Sequence, residues 1–105
     1  MRIHEFPDQS QALEPDSPVY FTHLANKHRI SFGLLLGILR QGDVPVRYDI
    51  LTLAGNLTHR LPGSIVPATP ANTAYLAGEC RRAYDRSAAR YRVASIYEPT
   101  PTQLP

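Results

Sequence analysis

The stretch LANKHRISFGLLLGILRQGDVPVRYDILTLAGNL, residues 24–57, decides the reading of this chain. Ser31 stands as a helix cap before the apolar run Leu34-Leu35-Leu36-Gly37-Ile38-Leu39, which Arg40-Gln41-Gly42 closes. The pattern predicts a helix over Phe32–Arg40, apolar on nearly every side and so either central in a bundle or turned to a partner. After Pro45, residues Val46, Ile50, Leu53, Leu57 and Leu61 recur at steps of four, three, four and four. That is the clearest amphipathic period in the sequence, and Pro62-Gly63 ends it.

Working outward, Ser17 as N-cap and Pro18 at the first helical position predict a helix to about His28, with Tyr20 and Leu24 on its buried face. Beyond the loop at Pro67, Thr69-Pro70 opens a last helix able to run to about Tyr97, where Pro99 stops it. Its inner stripe would include Thr73, Leu76, Ala77, Cys80, Ala83, Tyr84 and Tyr91. The only segment with extended character is Ser64-Ile65-Val66. The fold expected is therefore all-α, a compact bundle of about four helices with a long C-terminal helix. Residues 1–17 read as an irregular acidic arm, 18–98 as one helical domain and 99–105 as an extended Pro-rich tail.

At 105 residues the chain has room for one core and no second domain. Cys80 is the single cysteine, so no internal disulfide can form, and a lone thiol fits a reducing compartment. The start of the chain carries no signal-like apolar segment, and the run Ile30–Leu39 is far short of the roughly 20 residues a membrane span needs. A cytoplasmic protein with no membrane partner is expected. Net charge is +2, but residues 1–18 carry −3 and the remainder +5. A basic body of this kind suits an acidic protein surface or a nucleoprotein complex, with nucleic acid as a further possible ligand.

In its order of elements, Leu24-Ala25, Ile30-Ser31, the apolar run, Gly42 and then Leu53-Ala54 and Leu57, the stretch resembles the repressor/Cro-like helix-turn-helix family. The resemblance implies a helical DNA-binding domain whose reading helix carries Phe32, Gly33, Leu36 and Gly37 toward the bases. None of these four can donate to or accept from a base edge, so the reading helix is degenerate.

Catalytic signatures are missing: there is no nucleophile elbow, no phosphate-cradling glycine loop and no pair of histidines at ligand spacing on a helix. His4, His23, His28 and His59 read as surface residues, Cys80 as a small core residue, and no cofactor or metal is expected. Arg82, Arg86 and Arg90 repeat every four residues along the last helix, with Arg81 and Arg92 beside them, forming an edge of guanidinium forks. Arg81, Arg82, Arg86 and Arg90, with Tyr75 and Tyr97, are the candidate partner-binding residues, because tyrosine and arginine dominate protein interfaces. Lys27, Arg29, Arg40 and Arg47 are the candidate nucleic-acid contacts. The function expected is a non-catalytic binder, a stoichiometric inhibitor or adaptor of the phage or mobile-element, anti-CRISPR-like kind, acting on a nucleic-acid-processing complex. The alternative is a helix-turn-helix transcriptional regulator.

Overall fold

The computed structural model describes residues 2–94, with side chains to residue 86. Its strands are β1 (Ser17–Thr22), β2 (Ile30–Gln41), β3 (Val44–Thr52), β4 (Leu57–Arg60) and β5 (Ile65–Pro67). One helix follows, α1 (Pro70–Ala94), and two short 3-10 turns, Ile3–Glu5 and Ser10–Ala12, precede β1. The strands form one antiparallel sheet in the order β4-β3-β2-β1-β5.

The all-α bundle is thus overturned, and only its last helix stands. The three earlier helices expected from the sequence are β1 with the loop after it, β2, and β3 with β4. No helix lies among residues 24–57, so the reading element required by a helix-turn-helix regulator has no counterpart. The apolar run of β2 is buried by alternation instead: Gly33 and Leu35 face the core, while Phe32, Leu34 and Leu36 stay exposed. The apparent helical period after Pro45 is a coincidence of strand parity. Val46 and Ile50 share a face of β3 with the buried Tyr48 between them, and Leu53, Leu57 and Leu61 are all exposed.

Turn chemistry fixes the hairpins. Gln41 pairs with Val44 around the two-residue turn Gly42-Asp43, where Gly42 has φ 65°. Gly55, with φ 85°, turns β3 into β4. Register shifts lie between Leu35 and Gly37 and between Leu39 and Arg40, the second opposite Pro45, which has no N–H to offer a regular ladder.

The connection from β4 to β5 forces the sheet to curl. The outer strands of a flat five-stranded sheet stand roughly 19 Å apart. The steps from Arg60 to Ile65 reach at most roughly 18 Å even when fully extended, and Ser64 N–H donating to Leu61 O makes a turn there. The sheet therefore rolls into a half-closed barrel. Its concave face holds Leu13, Val19, Phe21, Leu35, Tyr48, Ile50 and Ile65. On the outer face over β1 and β5, Ile3, Phe6, Tyr20 and Val66 form a second cluster, against which Tyr75 and Leu76 of α1 pack.

Asn72, fully buried, ties this outer layer together. Its Nδ2 donates to Asp8 O (2.9 Å) and Pro67 O (2.7 Å), and its Oδ1 accepts from Asp8 N–H (2.8 Å). Thr69 caps α1, its Oγ1 accepting from the Asn72 N–H at 3.2 Å. Past this anchored first turn and the Tyr75-Leu76 contact, every residue from Cys80 to Arg86 is exposed. Among the described residues no layer covers the Cys80–Tyr84 part of the predicted inner stripe, and Cys80 is an exposed thiol.

Candidate binding surfaces

Among the described residues, two surfaces stand out as candidates. The first is the outer face of the sheet over β2, β3 and β4. Strand pairing lines up Leu34, Leu51 and Leu57 across three strands, and beside them Phe32 pairs with Tyr20, their rings 5.7 Å apart. Phe32 (41%), Leu34 (37%), Leu36 (41%) and Leu57 (59%) keep a large share of their surface in water. The next row on this face is polar: Asp49 Oδ1 accepts from Arg47 Nε at 3.0 Å and from His59 Nδ1 at 2.7 Å.

Burial acts to raise the Asp49 carboxyl, but the hydrogen bonds from His59 and Arg47, with their charges, outweigh it and hold the group below its ordinary range. A carboxyl depressed on folding stabilises the protein above its unfolded value, and that contribution is lost as pH falls through the folded one. We expect the thermal midpoint to drop on acidification below about pH 4, and Asp49→Asn to flatten that part of the profile. An identical acid slope in the variant would count against the pairing.

The second surface is the end of the barrel where β1 and β4 meet across the seam. Arg60, only 7% exposed, donates from Nε to Thr22 O at 2.7 Å and from one terminal nitrogen to Thr58 Oγ1 and His59 O, both at 2.7 Å. Its guanidinium stands 4.9 Å above the Phe21 ring. Burial pushes the guanidinium down from its ordinary value, yet it remains charged at neutral pH. It lines a cleft of about 270 Å³, and a second of about 370 Å³ adjoins that one through Thr22, Lys27 and Ser64. All four histidines of the chain line them, His23 and His59 the first, His4 and His28 the second.

The residues singled out by sequence fall into separate places. Arg81, Arg82 and Arg86 are exposed on α1, with Arg81 paired to Asp85 at 3.3 Å and Arg82 to Glu79. Arg90 lies on α1 beyond the described side chains, and Tyr97 lies outside the described residues. Tyr75 is half-buried against Phe6, their rings 5.0 Å apart. Lys27 and Arg29 sit exposed on the β1–β2 loop, and Arg40 is exposed with Nη1 3.4 Å from Asp43 O. Lys27 and Arg47 line the first cleft; Arg29 and Arg40 are not among its lining residues.

Sequence reasoning took the four histidines as separate surface residues; they lie up to 55 positions apart, and the fold brings His23 and His59 to one cleft and His4 and His28 to the next, while Asp49 meets His59 through the β3–β4 pairing. Among the described residues no group of three or more His, Cys, Asp or Glu is placed to hold a metal ion, and no helix is long and apolar enough to cross a membrane. Comparison of the chain with protein-family models, curated proteins and solved structures finds no match.

Proposed function

We propose that the protein is a small non-catalytic binder, a stoichiometric inhibitor or adaptor that docks on an acidic surface of a nucleic-acid-processing complex. The observation that supports this reading best is the uncovered apolar row on the outer face, Phe32, Leu34, Leu36 and Leu57. Contiguous apolar surface of that kind is the usual core of a protein interface, and Arg47 in the adjoining polar row, with the exposed Arg81, Arg82 and Arg86 of α1 elsewhere on the surface, favours an acidic partner.

The test is capture of a partner from nuclease-treated lysate by the wild-type chain and by Leu34→Asp. Leu34 sits at the centre of the row and is part-exposed, so the carboxylate is tolerated by the free protein but would be desolvated in the complex. We expect partner affinity to fall at least about tenfold, the equivalent of losing one buried leucine, while the thermal midpoint changes little. Undiminished capture by Leu34→Asp, or capture abolished by nuclease, would overturn the proposal.

A further inference from the structure

We infer that the cleft between the β1–β2 loop and the β4–β5 turn, lined by His23, Lys27, Arg47, His59, Arg60 and Ser64, is a binding site for a phosphate group. Arg60 carries the argument. The residue is 7% exposed, its hydrogen bonds all go to neutral oxygens, and among the described residues no carboxylate stands within ion-pair distance of it. A buried cation without a counter-charge is costly, and an anion entering the cleft supplies one.

Leu24 and Leu61 form the apolar part of the wall, and the polar lining supplies further donors. Lys27 has no carboxylate partner among the described residues, and Arg47 and His59 share the single carboxylate of Asp49. Positive charge is therefore in excess, and no acidic residue lines the cleft. The donors also suit a tetrahedral oxyanion better than a planar carboxylate, because a guanidinium, an ammonium, imidazole N–H groups and the Ser64 hydroxyl can serve three oxygens from several sides. His23 accepts the Ala25 N–H on Nδ1 at 3.2 Å, which leaves the proton of its neutral ring on Nε2 as a donor. His59 gives its Nδ1–H to Asp49, so its Nε2 becomes a second donor when the ring is protonated.

This inference does not rest on the protein partner proposed above. Its test is an NMR titration of the full chain with inorganic phosphate against sodium chloride at matched ionic strength, which removes general screening. We expect saturable shifts centred on residues 22–27 and 59–64, at millimolar phosphate. Lys27→Ala should weaken binding roughly tenfold, the loss of one charge-assisted hydrogen bond, while Arg86→Ala leaves it unchanged. Two further arms, one oligonucleotide with a 5′-phosphate and the same one with a 5′-hydroxyl, separate the sources. Preference for the phosphorylated end supports a nucleic-acid terminus as the ligand, whereas phosphate binding without that preference supports a small phosphate ester or the free ion. Shifts that follow ionic strength alone, or equal losses in Lys27→Ala and Arg86→Ala, would overturn the site whatever the fate of the protein partner.

Discussion

Gly33→Ala is expected to destabilise the protein by about 3 kcal/mol, and Gly33→Val by more, the upper range for overpacking a core. Gly33 sits in β2 between Val19 on β1 and Thr52 on β3, on the concave side of the barrel. A Cβ added there would lie 2.7 Å from Leu51 O, 2.8 Å from Ile50 Cγ2 and 3.1 Å from the Phe21 ring. The first of these neighbours is backbone held in the β2–β3 ladder, and the second is a fully buried side chain, so neither can yield without moving a strand. The propensity term runs the other way, since alanine loses less entropy than glycine on entering a strand, but it is worth only about 0.5–1 kcal/mol. Steric conflict wins. Gly37, also in β2, has nothing near a would-be Cβ, and Gly37→Ala is the matched control that should be neutral or slightly stabilising. Urea unfolding of the two variants decides the matter: equal midpoints would show that the barrel wall is not packed as tightly as these distances imply.

The same glycine explains how far the fold was legible in the sequence. An apolar run of ten residues is compatible with a buried helix or a buried strand, and length alone favours the helix. Signals for the strand were nevertheless present. Gly42-Asp43 between Gln41 and Val44 is a two-residue hairpin turn, and it reads as a helix stop only if the following Val-Pro-Val is not taken as an extended segment. Leu53, Ala54, Gly55 and Asn56 likewise carry a hairpin signal that the four-residue period concealed. What survived, the Thr69-Pro70 start of α1 and the extended character of Ser64-Ile65-Val66, rests on cap chemistry and β-branching, which act locally. Nothing in the sequence marks Arg60, because the Thr22 carbonyl and Phe21 ring that hold it are some 38 residues away in sequence and reach it only once the sheet has curled.

That closure gives the second large effect. Arg60→Ala should cost about 4 kcal/mol, and Arg60→Met about half as much, as judged from the groups each leaves behind. Alanine removes the donor to Thr22 O at the seam, the bonds to Thr58 Oγ1 and His59 O, and the aliphatic stem. A carbonyl left without its donor costs about 1–3 kcal/mol, and loss of the cation over Phe21 adds about 1 kcal/mol. The opposing gain is release of a charge held out of water, real but limited by the neutral oxygens that already solvate it. Methionine keeps a stem of similar length across Phe21 and takes the same electrostatic relief, so the difference between the two variants isolates packing from charge. Denaturant unfolding at neutral pH measures both, and a loss below about 1 kcal/mol in Arg60→Ala would mean that the β4–β5 connection closes the barrel unaided. A larger loss in methionine than in alanine would instead mean that the seam admits water to the guanidinium, and that its charge there is not buried.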